Sequence, residues 1–543
     1  MRTALVLGCA YACVACQKTG ALDLDLSLPS TAALRPENMS TISVVASSPT
    51  IGTVTNTSLL GSSGGSGGTS ATAGELPVGS DVLIDVLFHD DESRLVGVGE
   101  ADEPIDIVGD QTTTLSLPVR RPFVYTASGS GLYSYDPTLD ARDPSFQGTL
   151  GGIGSPQLAI SVGGEMLVVA STNALQVIET ATNMPMGNPI SIPGMISDAA
   201  PVPGTHMVAV AHSMGLSIVD LDTGTVQTAT GAAVDRVTVG PDGKGGQVAS
   251  GLVDRVVAPA SSTDACTGTS MLVTVEVASP GSTLSPMALA EAVSDLGADP
   301  DNGTLYAALP CEGEIASLSN AKFSMVSMLS RAAVVTVAGQ HIWAAGTAPS
   351  TAQCTIDAEG DSGSCSTGAT ADCTDMTAEI AYVSDGAHLI VQSIPTDDFS
   401  ALISVDLPEP RETIVSTDDP GRQHAQVLKS LAMTPLDLVA LPGGEYVSVV
   451  LQTRYFIQSL VDGNEVVLPC LDVTTGDWQL FDFATTTVAQ RVRTECDLTI
   501  GPTTSGVNET PFKNWACDDA PDGQNPTQGT YMPISVGALF GAR

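Results

Sequence analysis

The sequence predicts an all-β protein, and its composition and patterning both support that prediction. Gly and Pro are frequent, at 54 and 34 of 543 residues, and only 15% of the residues are charged. This composition is typical of many short strands joined by tight turns. Short apolar runs that end at Gly, Pro, Asn or Asp recur along the chain. Few segments repeat apolar residues at helical spacing, so long helices are not expected.

The N-terminus resembles a bacterial export signal. Arg2 precedes an apolar stretch, Thr3 to Ala15, that is too short to span a membrane and is typical of a signal peptide. The stretch runs into Val14-Ala15-Cys16, which resembles a lipobox and implies diacylation of Cys16. Because Gln17 and not Asp follows, the resemblance implies an outer-membrane lipoprotein that faces the periplasm or the cell surface. An ordinary cleaved signal with incidental cysteines is the alternative.

The cysteines also point to export. Of the 11 cysteines, three belong to the predicted signal and anchor, and an even number in an exported chain indicates disulfide bonds. Their spacing leaves the connectivity open, although Cys266 and Cys311 fall on neighbouring repeats and are a candidate pair. The disulfide candidates are Cys266, Cys311, Cys354, Cys365, Cys373, Cys470, Cys496 and Cys517.

The net charge of −40 restricts the partners of the protein. So acidic a surface repels phosphate backbones, which excludes nucleic acid as a partner, and it leaves the lipid anchor as the expected membrane contact. Solubility is the simpler explanation of the charge. Binding of divalent cations by carboxylates is the other, so Ca²⁺ is the one cofactor that the composition suggests. A monomer is expected.

The sequence divides into a signal (residues 1–16), a tether (17–37), a small β-sandwich of the immunoglobulin-like kind (38–120) and a repeat region (121–543). A Gly- and Ser-rich loop, Gly61 to Gly74, interrupts the predicted sandwich. The sandwich strands are expected at Thr41–Ala46, Val82–Phe88, Leu95–Val98, Ile105–Val108 and Thr113–Val119.

The repeat region alternates short apolar strands with glycine turns. The turn glycines have a mean spacing of about 47 residues, which matches a four-stranded β-propeller blade and exceeds a solenoid rung. They are Gly164, Gly204, Gly243, Gly303, Gly339, Gly386 and Gly444.

Two segments resemble a known repeat family. Val168 to Asn183, which contains Gln176-Val177-Ile178-Glu179-Thr180-Ala181-Thr182-Asn183, is similar to the YVTN-type β-propeller repeat, and Val208 to Gly224 looks like the next copy. The resemblance implies a β-propeller and says little about function, because such propellers serve many roles.

The two ends of the repeat region are each incomplete. Phe123 to Asp136 fits the second and third strands of a repeat, and Ile534–Val536 resembles the first strand at Ala159–Val162. We therefore expect the N- and C-terminal strands to close one blade together, which also removes exposed strand edges. Counting repeats gives eight blades, or seven if the unit around Ile342 does not form a full blade.

Candidate catalytic and metal-binding motifs are weak. Asp299-Pro300-Asp301-Asn302-Gly303 resembles the opening of a calcium loop, but Pro310 stands where the bidentate Glu should be, so a turn is the simpler interpretation. Cys354, Cys365 and Cys373 lie among Asp and Glu residues, where a disulfide-pinned loop is favoured over a metal site. No catalytic residues are assigned.

Two functions remain open. The first is a lipid-anchored binding or scaffold module whose ligand is an unknown protein or small molecule. The second is a propeller hydrolase of the calcium-dependent lactonase kind. The missing catalytic signature favours the first, and convergence of three or more carboxylate or amide side chains on one point in the channel would favour the second.

Overall fold

A computed structural model describes most of the chain. The described ranges are 18–29, 35–48, 51–60, 69–128, 131–135, 148–149, 156–257, 266–348, 352–357, 363–366, 379–407, 414–419, 422–441, 446–461, 471–482, 487–500 and 535–538, with short gaps at 92, 94, 102–103, 163–165, 181, 183, 339 and 386. Regular structure in these ranges consists of β-strands and one 3-10 turn at Phe399–Ala401. Over the same ranges, no helix is long and apolar enough to cross a membrane.

The first eight strands form one sheet. They are β1 to β8, at Thr19–Ser27, Thr41–Ser48, Gly52–Leu59, Thr69–Pro77, Gly79–His89, Leu95–Glu100, Ile105–Ile107 and Thr112–Arg120. The strand order is β3-β2-β5-β6-β8-β1-β4, with β7 paired to β5, and β1 runs parallel to β8. We call this the N-terminal sheet.

The N-terminal sheet is larger than the sequence predicts. The five expected strands correspond to β2, β5, β6, β7 and β8, but the segment interpreted as a tether contains β1. Its leucines alternate with aspartates, and Leu22, Leu24 and Leu26 are buried in the core of the sheet. Strand β4 likewise begins at Thr69, inside the predicted Gly/Ser loop, of which residues 61–68 lie outside the described ranges.

Strands β9 to β40 make up the repeat region. The strands β9 to β23 are Val124–Ser128, Gly131–Tyr135, Gly148–Thr149, Leu158–Val162, Met166–Ser171, Ala174–Glu179, Met184–Ser191, Ile196–Pro201, Met207–His212, Gly215–Asp220, Thr225–Thr230, Arg236–Pro241, Gln247–Val253, Met271–Glu276 and Met287–Ala288. The strands β24 to β34 are Asp295–Ala298, Leu305–Leu309, Glu314–Ser319, Lys322–Met328, Val334–Ala338, His341–Ala348, Ala352–Asp357, Gly363–Ser366, Glu379–Asp385, His388–Pro395 and Ile403–Leu407. The strands β35 to β40 are Ile414–Asp419, Arg422–Ala440, Tyr446–Val461, Leu471–Asp482, Thr487–Ile500 and Ser535–Ala538.

These strands form successive antiparallel sheets. From the innermost strand outward, sheet 1 is β40-β9-β10-β11, and sheets 2 to 5 are β12 to β15, β16 to β19, β20 to β23 and β24 to β27. Sheet 6 is β28-β29-β33-β34, and sheet 7 is β36-β37-β38-β39, with β35 added beside β36. Strands β30, β31 and β32 form a separate small sheet.

Burial decreases from the inner to the outer strands of a sheet. In sheet 2, every residue of β12 is buried, whereas β15 is exposed along almost its whole length. Largely apolar runs such as Met207–His212, the second strand of sheet 3, are also buried, because neighbouring sheets cover both of their faces. Outer strands carry polar residues because they face solvent.

The innermost strands are arranged in a ring. Strands β40, β12, β16, β20, β24, β28 and β36 each contact the next in this order, and β36 contacts β40 again. Radial antiparallel sheets around a closed ring of inner strands are the architecture of a β-propeller. The chain is thus an all-β protein with a β-propeller after its N-terminal sheet.

The C-terminal strand completes sheet 1, as the sequence predicts. Ser535 pairs with Ala127 and Val536 with Thr126, so β40 is the inner neighbour of β9. The predicted pairing of the first and last strands of the repeat region is therefore confirmed. Strand β40 begins at Ser535, and residue 534 lies outside the described ranges.

Two of the repeats that were counted by their turn glycines correspond to one sheet. Gly339 and Gly386 lie outside the described residues, but the strands that follow them in the sequence, β29 and β33, pair with each other in sheet 6. The small sheet β30–β32 is inserted between them along the chain. The insertion separates neighbouring strands in sequence, which made one sheet resemble two repeats.

The N-terminal sheet packs against one end of the propeller. Val45, Leu87 and Val98 share a buried cluster with residues of sheets 1, 2 and 7. The buried Arg120 Nη1 donates to Thr180 Oγ1 in the turn after β14. Pro104 lies against Gly204 in the turn after β16. The sheet therefore covers the end of the ring at which the inner strands finish.

Candidate functional site

A ring of charged side chains lies at the other end of the central channel. Arg236 and Asp295 are the first residues of the inner strands β20 and β24, Asp198 is the third residue of β16, and Asp437 lies in β36. All four are buried or nearly so. Asp198 lies in the first half of β16, whereas Gly204, which lies beside Pro104 of the N-terminal region, is in the turn after β16. The charged side chains are therefore at the end of the channel away from the N-terminal sheet. We call these residues, with Asp235, the channel-mouth ring.

Arg236 is the centre of the channel-mouth ring. Its Nη1 lies 3.7 Å from Asp198 Oδ1, and its Nε lies 3.7 Å from Asp295 Oδ1. Its Nη2 donates to the carbonyl oxygen of Leu436 in β36, at 3.1 Å. The guanidinium of sheet 4 therefore reaches across the channel to sheet 7, which is not its neighbour in the ring.

The electrostatics of the ring favour a permanently charged Arg236. Burial alone would lower its pKa, but the carboxylates of Asp295, Asp198, Asp437 and Asp235 outweigh burial and raise the pKa above its ordinary value. Burial raises the pKa of Asp295, while Arg236 and Arg255 oppose that rise. The guanidinium is thus the counterion of the buried carboxylates.

The second oxygen of each carboxylate binds the backbone of an adjacent sheet or loop. Asp198 Oδ2 accepts from the Val237 N–H at 2.9 Å, and Asp295 Oδ2 accepts from the Val335 N–H at 3.0 Å. Both bonds join neighbouring inner strands. A charge-assisted hydrogen bond to a buried amide stabilises the geometry of the channel-mouth ring.

Arg255 adds a second positive charge beside the ring. Its Nε donates to the Ser294 carbonyl at 2.7 Å, and its backbone N–H donates to Asp235 Oδ2 at 2.9 Å. Burial, together with the nearby charge of Arg236, lowers its pKa to about 10. The carboxylates therefore converge on guanidinium groups, and the described residues contain no group of three or more His, Cys, Asp or Glu side chains that could hold a metal ion.

The calcium-loop motif is a turn in the structure. Asp299 Oδ1 accepts from the Asp301 N–H at 2.8 Å, and Oδ2 accepts from the Asn302 side-chain amide at 2.7 Å. Gly303 has a φ of +72°, and a Cβ there would lie 2.0 Å from the carbonyl oxygen of Pro241. Only glycine fits this position, so the motif is explained by the turn between β24 and β25.

In a buried His–Ser pair of sheet 3, the hydrogen bond runs in the wrong direction for nucleophilic catalysis. The Met214 N–H donates to His212 Nδ1 at 3.2 Å, which leaves the proton on Nε2. Nε2 then donates to Ser217 Oγ at 2.9 Å, and Ser217 contacts Thr228 Oγ1 at 2.7 Å. Burial lowers the pKa of His212. A catalytic base must accept the serine proton, and this imidazole donates instead.

One of the predicted disulfide bonds is present. Cys266, before β22, is bonded to Cys311 in the turn after β25, which links sheets 4 and 5. Cys354 and Cys365 are register partners in strands β30 and β31, and Cys496 lies in β39. Cys16, Cys373, Cys470 and Cys517 lie outside the described residues.

Comparisons with known proteins add little to this picture. No family model and no curated protein matches the chain. Similar solved structures include hydrazine synthase of Kuenenia stuttgartiensis, with 11% identity and a TM-score of 0.35, covering 62% of this chain and 95% of that one. The β-propeller domain of Cps50 (Swd1) of Myceliophteria thermophila has 10% identity and a TM-score of 0.33, covering 61% of this chain and 95% of that one. Because both TM-scores are low, the fold assignment rests on the strand order and the ring of inner strands.

Proposed function

We propose that the protein is an exported, lipid-anchored β-propeller that acts as a binding or scaffold module without catalysis. The observation that carries the proposal is the pairing of the channel-mouth carboxylates with Arg236. Propeller hydrolases of the calcium-dependent lactonase kind need channel carboxylates free to hold a cation, and here a guanidinium lies among them. The partner is an unknown protein or small molecule and not a nucleic acid, since the net charge is −40.

We further propose that sheets 1 to 7 are seven blades of YVTN-type ancestry and that the N-terminal sheet, whose edge strands β3 and β4 contact each other, folds back on itself as an immunoglobulin-like sandwich. The parallel pairing of its first and last strands, β1 and β8, supports the second assignment. Because this sandwich covers one end of the ring, the opposite end is the face left for a partner. The protein is proposed to be a monomer.

Lipid anchoring at Cys16 would place this face outside the cytoplasm. The lipobox-like Val14-Ala15-Cys16 and the Cys266–Cys311 disulfide both support export. Metabolic labelling with palmitate in a Gram-negative host tests the anchor. We expect label in the wild type and in a Cys9→Ser control, and none in Cys16→Ser. Label that persists in Cys16→Ser would rule out this anchor.

The alternative hydrolase is tested by activity. Mature protein is assayed against a panel of lactones and esters with and without Ca²⁺, beside an Asp295→Asn variant. We expect no turnover that depends on Asp295. Calcium-dependent hydrolysis that is lost in Asp295→Asn would establish the enzyme and overturn the binding-module proposal.

A further inference from the structure

The solvent-exposed surface of the described residues is rich in methionine. Fourteen large apolar side chains are exposed there, and seven of these are methionine whereas two are leucine. Methionine is ordinarily among the most often buried residue types, and the whole sequence contains only 15. The bias is therefore in the type of apolar residue. We call the seven the exposed methionines; they are Met184, Met186, Met195, Met214, Met287, Met325 and Met328.

Packing does not explain this choice of residue. Leucine and methionine have similar volumes and replace each other at small cost even in a core. On a surface, where there is little packing, the property that distinguishes methionine from leucine is its thioether sulfur. That sulfur is polarizable and is oxidised to methionine sulfoxide, which enzymes reduce back to the thioether.

The exposed methionines lie where a change of side chain leaves the fold intact. Five of them are on the outermost strands of sheets 2, 4 and 5, which are β15, β23 and β27. Backbone pairing holds these strands in place, for example at Met186 opposite Val177. Met195 precedes β16 and Met214 follows β17, and the Ser213 N–H donates to the Met195 carbonyl oxygen at 2.9 Å. Oxidation of a thioether leaves these backbone bonds unchanged.

Two buried methionines provide the contrast. Met166 and Met433 are 5% and 8% exposed, and each belongs to a hydrophobic cluster shared by neighbouring sheets. A sulfoxide there would place a polar oxygen among apolar side chains, which disrupts a core. The exposed methionines are between 41% and 63% exposed, so the oxygen atoms of their sulfoxides would be hydrated.

We propose that the exposed methionines are a sacrificial modification site that consumes two-electron oxidants of the hypohalous acid class. In the reaction with hypochlorous acid, an S–O bond forms and the O–Cl bond breaks. The sulfur is oxidised by two electrons, chloride is released and the proton passes to water. The protein then carries up to seven sulfoxides and keeps its fold. This role goes beyond the proposed binding function and does not depend on a partner.

Titration of the mature protein with hypochlorous acid tests the proposal. Free thiols are alkylated beforehand, because thiols react with the same oxidant. Each titration contains a fluorescent dye that hypochlorous acid bleaches, so bleaching begins when the protein stops consuming oxidant. The test variant replaces each of the seven exposed methionines by leucine, as Met184→Leu and the six corresponding changes. The control is Met166→Leu/Met433→Leu, which removes two buried thioethers.

We expect the wild type and the control to spare the dye for about seven more equivalents of oxidant than the test variant. Peptide mapping of the wild type at that point should find sulfoxide at the exposed methionines and an unmodified thioether at Met166 and Met433. The melting temperature of the oxidised wild type should remain close to that of the untreated protein. Methionine sulfoxide reductases A and B together should remove the sulfoxides.

Three results would overturn the proposal. The first is a test variant that spares the dye for as long as the wild type does. The second is oxidation of Met166 and Met433 at the same dose as the exposed methionines. The third is unfolding of the wild type once the exposed methionines are oxidised. The last two results are measured on the wild type, so they do not depend on the folding of any variant.

Discussion

Arg236 donates a hydrogen bond across the central channel to the carbonyl oxygen of Leu436, 200 positions later in the chain. The same guanidinium neutralises Asp198 and Asp295, which belong to the two sheets on either side of its own. One side chain therefore connects four sheets of the propeller. This contact explains how a chain with a large negative charge keeps buried carboxylates at its channel mouth.

Replacing Arg236 by alanine should destabilise the protein by about 3–5 kcal/mol, because it leaves buried carboxylates without their counterion. Urea denaturation measures the change. Lys322→Ala, on an exposed position of β27, is the control and should have little effect. A stability of Arg236→Ala equal to that of the control would show that the carboxylates are solvated or protonated in the wild type.

The Cys266–Cys311 bond should contribute about 2–4 kcal/mol, because it closes a loop of 45 residues in the unfolded chain. The double variant Cys266→Ser/Cys311→Ser should lose this amount in guanidinium denaturation. Peptide mapping without reduction should recover the two cysteines in one linked peptide from the wild type. Recovery of both as free thiols would contradict the bond.

Asp85 should make stability depend on pH. It lies in β5, opposite Glu100, and burial raises its pKa from 3.8 to about 7. The folded protein therefore keeps a proton that the unfolded chain loses near pH 4. The free energy of unfolding should fall as the pH rises from about 4 to about 7, and this contribution should be constant at higher pH.

Asp85→Asn removes that titration. Its stability should vary less between about pH 4 and pH 7 than that of the wild type, and it should exceed the wild type at about pH 8. The exposed Asp25→Asn is the control. Identical pH profiles for the wild type and Asp85→Asn would show that Asp85 is ionised in the folded protein.

The closing strand β40 should stabilise the ring, because it supplies the inner strand of sheet 1 and leaves no unpaired edge on β9. Deleting residues 531–543 should lower the melting temperature by several degrees and raise protease sensitivity near residues 123–150. Deleting only residues 539–543, which follow β40, is the control. Equal melting temperatures of the two truncated proteins would mean that β40 does not stabilise the ring of inner strands.

The ring closure could be predicted from the sequence because it depends on strand patterns. Ile534–Val536 repeats the letters of Ile160–Val162, and the turn glycines mark most of the sheets. The division of sheet 6 was harder to predict, since an inserted sheet separates β29 from β33 along the chain. Strand β1 was missed because its alternating leucines stand within polar sequence.

The candidate sites could not be predicted, because they depend on side chains that only the fold brings together. Nothing in the neighbourhood of Arg236 in the sequence indicates Asp295 or Leu436 as its partners.

Calcium titration of the mature protein tests most directly whether Arg236, and not a bound metal ion, neutralises the carboxylates of the channel-mouth ring. Isothermal titration calorimetry and thermal melting are compared for the wild type and for Asp295→Asn. The account predicts no saturable binding that depends on Asp295 and no calcium-dependent rise in melting temperature. Saturable Ca²⁺ binding that raises the melting temperature of the wild type and disappears in Asp295→Asn would contradict it.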